Sequence, residues 1–204
     1  DNGEKEPVKK ALMANIQLSP KGKYSYWYCP EDSSWYTWSI AEKKEYRLTT
    51  PASFTSWNED NDVPDYPAPY GVAGWSADDN YILIYDRYDI WMFDPATTKK
   101  AVNLTQNGRE KSIQYRYIQL DKEEKYINLN QQLMVSGFKE LTKGYGYYRL
   151  LEIGVPIEPQ PLLTGDFMLK NLAKAKDSYT YIYTTERFDQ YPDRQLTDFS
   201  FKKS

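Results

Sequence analysis

Apolar and aromatic positions along this chain come in short alternating bursts, not in long runs. Lys23-Tyr24-Ser25-Tyr26-Trp27-Tyr28-Cys29 alternates with a period near two. Tyr81-Ile82-Leu83-Ile84-Tyr85 is a continuous run of the kind that forms a strand buried on both faces, and Ile90-Trp91-Met92-Phe93 and Tyr179-Thr180-Tyr181-Ile182-Tyr183-Thr184 also read as strands. Turn-forming clusters separate the bursts: Pro20-Lys21-Gly22, Pro30-Glu31-Asp32-Ser33-Ser34, Asp78-Asp79-Asn80 and Pro95-Ala96-Thr97-Thr98. Short strands bounded by turn signals every 8–12 residues or so predict an all-β chain. Phe167 to Lys176 has helical propensity, but the repeat described next places a strand there.

The bursts recur. Taking one strand type as reference, it begins near Lys23, Asn80, Leu133 and Tyr179, and the strand after it begins near Trp35, Ile90, Tyr145 and Arg194. A closing strand ends in Leu-Thr three times, at Leu48-Thr49, Leu104-Thr105 and Leu163-Thr164. An opening strand is expected over Leu12–Leu18, Tyr70–Trp75, Gln114–Leu120 and Phe167–Ala173. Each unit is then a four-stranded antiparallel meander of roughly 45–60 residues, and radial repetition of such meanders makes a β-propeller. The expected units are 11–49, 70–105, 114–164 and 167–201, the last without its outer strand, so the chain is a β-propeller portion of about four blades. An acidic inter-blade loop, 50–69, carries Pro51, Pro64, Pro67 and Pro69, and Asp121 to Gln132 forms a polar linker.

Composition narrows the chemistry. The 204 residues include 20 Tyr, 6 Trp and 7 Phe but no His and a single Cys. Without His the chain cannot build a Ser-His-Asp or Cys-His pair or an H-e-x-x-H zinc site, and one Cys allows no internal disulfide. The net charge of −3, with Lys and Arg scattered, argues against a nucleic-acid footprint. No apolar run reaches the roughly 18–20 residues of a membrane helix.

The stretch from Val63 to Trp91, with its core Tyr85-Asp86-Arg87-Tyr88-Asp89-Ile90-Trp91 followed by Asp94-Pro95, resembles the propeller domain of bacterial serine peptidases of the prolyl oligopeptidase family, near the dipeptidyl peptidase IV-like members. Thr184-Thr185-Glu186-Arg187-Phe188-Asp189-Gln190-Tyr191-Pro192-Asp193 is similar to a late blade of the same propellers, although Arg194-Gln195 stands where that family carries a Trp-like residue. The resemblance runs from about Ile16 to the end. It implies a secreted or periplasmic parent whose triad sits in an α/β-hydrolase domain. Neither a G-x-S-x-G elbow nor a His occurs in these residues, so no catalytic residue transfers. The implied partners are that hydrolase domain, the remaining blades and a peptide substrate; nucleic acid and membrane are not among them, and the uncovered end blades predict self-association.

Four residues stand out as contact candidates. Asp86, Arg87 and Asp89 occupy a tight hairpin, where they can touch a substrate or another domain; turn chemistry is the favoured account, because Asp closes turns through nearby backbone N–H groups. Trp57, in the acidic loop, is the tryptophan expected to be exposed, whereas the other five are expected to pack between blades. The run Glu59-Asp60-Asn61-Asp62-Val63-Pro64-Asp65 offers calcium-type oxygens but lacks the Gly and the closing Glu of an EF-hand, so neither a metal nor a cofactor is expected. Two functions remain open. The chain is either a non-catalytic segment that gates peptide access to a peptidase domain outside it, or a stand-alone propeller that recognises a protein or glycan through loops such as 50–69.

Overall fold

The computed structural model describes residues 8–9, 12–151 and 157–202. Fifteen strands form four antiparallel sheets in strict chain order. The first contains β1 (Gln17–Leu18), β2 (Tyr24–Cys29), β3 (Ser34–Ser39) and β4 (Lys44–Arg47). The second contains β5 (Val72–Trp75), β6 (Ile82–Tyr85), β7 (Ile90–Phe93) and β8 (Val102–Asn103). The third contains β9 (Ile113–Tyr117), β10 (Leu133–Lys139), β11 (Tyr145–Leu150) and β12 (Gln160–Gly165), and the fourth only β13 (Met168–Lys174), β14 (Tyr181–Arg187) and β15 (Gln190–Thr197). Among the described residues helical structure is confined to a 3₁₀ turn at Ala77–Asp79 and one turn, α1, at Gly108–Lys111.

The sheets are stacked face to face, and three apolar clusters fill the gaps between successive sheets. Tyr26, Tyr28 and Trp35 of the first sheet meet Trp75, Ile82, Ile84 and Phe93 of the second. Leu83, Tyr85, Ile90 and Met92 meet Ile113, Tyr115, Val135 and Tyr148 of the third. Met134 and Tyr147 then meet Leu169, Tyr181 and Tyr183 of the fourth. β6 contributes to the clusters on both its sides, which is why Ile82–Tyr85 is apolar without alternation. The architecture is that of β-propeller blades. Aromatic rings suit such gaps because each buries a large area while meeting its neighbours edge-on: Tyr115 crosses Tyr148 at 90° with centroids 5.2 Å apart. Tyr148 in turn lies over the backbone of β10 and β11, where a Cβ on Gly137 or Gly146 would come within 2.5 or 2.6 Å of its ring.

Phe167 to Lys176 is a strand over most of its length, β13, as the repeat demands and against its helical propensity. Three expectations need correction. Of Leu12–Leu18 only Gln17–Leu18 pairs in the first sheet. The last strand begins at Gln190, not near Arg194, because Arg187 already pairs with Gln190 across a tight turn at Phe188-Asp189. Trp57 is half-buried, not exposed, bridging Pro69 and packing against the cluster that contains Phe54.

Candidate functional site

In an antiparallel meander the second-to-third connection and the passage to the next sheet lie at the same end. The hairpin between β6 and β7, the loop 50–69 ahead of β5, the passage through α1 and the hairpin between β10 and β11 therefore gather at one end of the second and third sheets. A charged network occupies that end.

The hairpin is a two-residue turn in which the Asp86 amide donates to the Asp89 carbonyl at 3.1 Å. Asp86 Oδ1 accepts from the amides of Tyr88 (2.7 Å) and Asp89 (2.5 Å), and its Oδ2 from the Trp91 indole (3.2 Å). Burial holds the Asp86 carboxyl above the ordinary carboxylate range despite these donors. Asp89, also buried, accepts from Thr105 Oγ1 (2.6 Å) and from the amides of Gly108 (2.9 Å) and Arg109 (3.3 Å). It thereby ties the hairpin to the start of α1. Both aspartates do the work of turn and tether.

Arg87 and Tyr88 are left at the hairpin tip. Arg87 Nε donates to Glu140 Oε1 at 3.0 Å, and Nη1 donates to Asp60 Oδ1 at 2.7 Å. Glu140 also accepts from Tyr88 Oη at 2.7 Å and from Gln114 Nε2 at 2.6 Å. Burial pushes Glu140 up, but the hydrogen bonds from Tyr88, Gln114 and Arg87 outweigh it and hold the carboxyl below its usual value. Arg109 presents its fork to Glu59, with Nη1 on Oε1 and Nη2 on Oε2, both at 3.2 Å. The guanidinium groups of Arg87 and Arg109 lie 5.4 and 5.0 Å from the centre of the Tyr88 ring. A third guanidinium, Arg116 on β9, donates to the carbonyls of Tyr115 (2.7 Å) and Arg87 (3.1 Å) and stacks over Tyr85 at 4.7 Å. Burial lowers the Arg116 pKa.

The structure thus brings Asp86, Arg87 and Asp89 together and draws Glu59 and Asp60 to them, while Trp57 sits at the base of the loop. Arg109, Gln114, Arg116 and Glu140 were not singled out from the sequence; they come from separate connections, and no spacing in the chain links them. The carboxylates of Glu59 and Asp60, candidates for a cation, face guanidinium groups instead. Among the described residues no group of three or more Cys, Asp or Glu is arranged to hold a metal ion. Among the described residues the network holds no nucleophile–base pair; it consists of ion pairs and hydrogen bonds between four connections.

At the other end, the β9–β10 and β13–β14 connections enclose an open groove of about 690 Å³, lined in part by Tyr117, Leu120, Met134, Tyr181 and Phe199. Lys176 and Glu123 pair at its rim at 3.3 Å.

No model of a protein family matches the chain, and no curated protein matches it. Solved structures similar to it are β-propeller-like at low identity. They include the calcium-binding protein regucalcin from Agrobacterium tumefaciens, with 10% identity and TM-score 0.44, where the match covers 95% of this chain and 61% of that one. TolB from Acinetobacter baumannii is 13% identical with TM-score 0.46, over 91% of this chain and 41% of that one. A puromycin-hydrolyzing peptidase of Mycobacterium tuberculosis is 10% identical with TM-score 0.34, over 96% and 38%. The chain spans less than two thirds of each.

Proposed function

We propose that the chain is the non-catalytic propeller segment of a secreted or periplasmic serine peptidase of the prolyl oligopeptidase family. In this reading it walls the cavity of a hydrolase domain outside these residues, admits short peptides and meets them with loop side chains. The observation that carries the reading is the hairpin at Asp86–Asp89. The stretch that resembles the family folds into a turn whose aspartates face inward and whose Arg87 and Tyr88 are presented at an end where four connections converge. With no His in the chain, bond cleavage belongs elsewhere.

Active-site labelling with a fluorophosphonate tests this. The full-length gene product should label stoichiometrically and cleave proline-containing chromogenic peptides, while the 204-residue chain should do neither. A full-length protein that neither labels nor cleaves would overturn the reading in favour of a binding propeller.

A further inference from the structure

The loop 50–69 is held in two different ways. Its base is packed: Phe54 is buried, Trp57 bridges Pro69, and the Asn58 amide donates to the Ala68 carbonyl at 2.8 Å. Its tip buries no apolar side chain, and Val63 and Tyr66 remain exposed. The tip is fastened to the rest of the molecule by Glu59 on Arg109, by Asp60 on Arg87, and by the Glu59 amide donating to Tyr70 Oη at 2.9 Å. Each of these ion pairs has one well-exposed partner, Asp60 or Arg109, so both are weakened by salt. The base is anchored by packing, and the tip is held by polar contacts, with Tyr28 Oη donating to the Pro67 carbonyl at 3.3 Å where the loop returns.

What the tip contacts is a cluster of cations around one aromatic ring. Two guanidinium groups flank one tyrosine ring, and one of them meets a carboxylate in the two-point fork geometry that a planar carboxylate fits best. The carboxylates come from adjacent residues, and Tyr70 reads the backbone amide between them and the base. With the tip lifted, Arg87, Arg109 and Arg116 balance Asp86, Asp89 and Glu140, and a ligand bringing two carboxylates restores the charge state seen here. We propose that Arg87, Tyr88 and Arg109 form a binding site for an acidic peptide segment, and that Glu59 and Asp60 occupy it as a built-in competitor. The inference stands on the loop contacts alone and does not depend on the peptidase reading.

A labelled, end-blocked tetrapeptide of sequence Asn-Glu-Asp-Asn, matching the tip, is the probe, with Asn-Gln-Asn-Asn as its neutral control. Binding by fluorescence anisotropy is compared for the 204-residue chain, for Glu59→Gln/Asp60→Asn, and for that variant with Arg109→Gln added. Removing the competitor raises the open fraction, so the double variant should bind the acidic probe about tenfold more tightly than the parent chain. Arg109→Gln should abolish that gain. Equal affinity in parent and double variant, or equal affinity for the neutral control, would overturn the proposal. Amide hydrogen exchange supplies a readout independent of the third variant. Exchange at positions 60 and 61 should quicken in the double variant while exchange at Asn58, whose amide is bonded to the Ala68 carbonyl, does not, and unchanged exchange at 60–61 would also overturn it.

Discussion

Ser19 and Asp79, 60 residues apart, meet between the first and second sheets, where Ser19 Oγ donates to Asp79 Oδ2 at 2.5 Å. Asp79 is buried and also accepts from the backbone amides of Lys21 and Lys23. The β5–β6 turn thus holds the β1–β2 turn by one carboxylate. Asp89 does the equivalent for the second and third sheets at the other end, through Thr105, Gly108 and Arg109. The first two of the three inter-sheet gaps are therefore closed by apolar packing along the strands and by a buried aspartate at one end, and the third by apolar packing around Tyr147, Tyr183 and Phe201.

Replacing Asp79 should consequently destabilise the chain more than an average surface change. Asp79→Ala strands three buried or half-buried donors and places Ala in the left-handed conformation that Asp79 adopts at φ 55°. The expected loss is about 3 kcal/mol, read as a lower urea midpoint at unchanged slope. Asp79→Asn keeps one acceptor oxygen and the tolerance for that conformation and should lose less. A midpoint for Asp79→Ala within error of the parent would contradict this account.

Gly108→Ala tests the second tether through space, not through charge. A Cβ at that position would lie 2.6 Å from Asp89 Oδ1 and 2.9 Å from the Ile113 carbonyl oxygen. The backbone must shift, which should cost about 2 kcal/mol by thermal or urea unfolding. Gly22→Ala supplies the contrasting case, since its Cβ meets nothing within 4 Å and its cost comes from the backbone conformation at φ +68° alone.

The hairpin network should impose a defined pH dependence. Glu140 titrates below its ordinary value of 4.5 in the folded chain. Its stabilisation is therefore complete above about pH 4.5 and is lost as pH falls through the lower folded value. Asp86, raised by burial, has the opposite sign. Glu140→Gln should lower stability at pH 7 by about 1–2 kcal/mol. The difference from the parent chain should shrink toward pH 3. A difference that stays constant across that range would assign the effect to packing and not to charge.

The strands were readable because alternation and turn chemistry are local. Tyr24–Cys29 and Ile82–Tyr85 carry their burial in their own spelling, and the repeat corrected the helical propensity of Phe167–Lys176. The tip of the 86–89 hairpin was readable for the same reason. The partners of that tip were not: Glu59, Arg109 and Glu140 lie on three other connections, and only the stacking of the sheets brings them within hydrogen-bond reach. Asp79 was visible as a turn residue, yet nothing in Asp78-Asp79-Asn80 says which of the two aspartates turns inward. The half-burial of Trp57 depended on Pro69 returning beside it, a long-range closure that composition does not encode.

The fourth sheet makes the last prediction. In the first three sheets an outer strand, β4, β8 or β12, covers the third strand. β15 has no such neighbour among the described residues, and its eight residues form an edge. Around it Phe188, Tyr191 and Leu196 are exposed, Tyr191 at 92% and Leu196 at 74%. An edge of unpaired N–H and C=O groups beside apolar side chains is a template for pairing with another chain. Pro192 lacks an N–H and lies where the register shifts, which limits pairing to the stretch from Asp193 to Thr197. We therefore expect weak, concentration-dependent self-association of the 204-residue chain. Light scattering should give a mass that rises above 24.0 kDa with concentration. Tyr191→Lys/Leu196→Lys, which places charges along the edge without touching the core, should hold the mass near that of one chain. A parent chain that remains monomeric at high micromolar concentration would mean that Pro192 and the exposed charges Asp193 and Arg194 already suffice to block the edge.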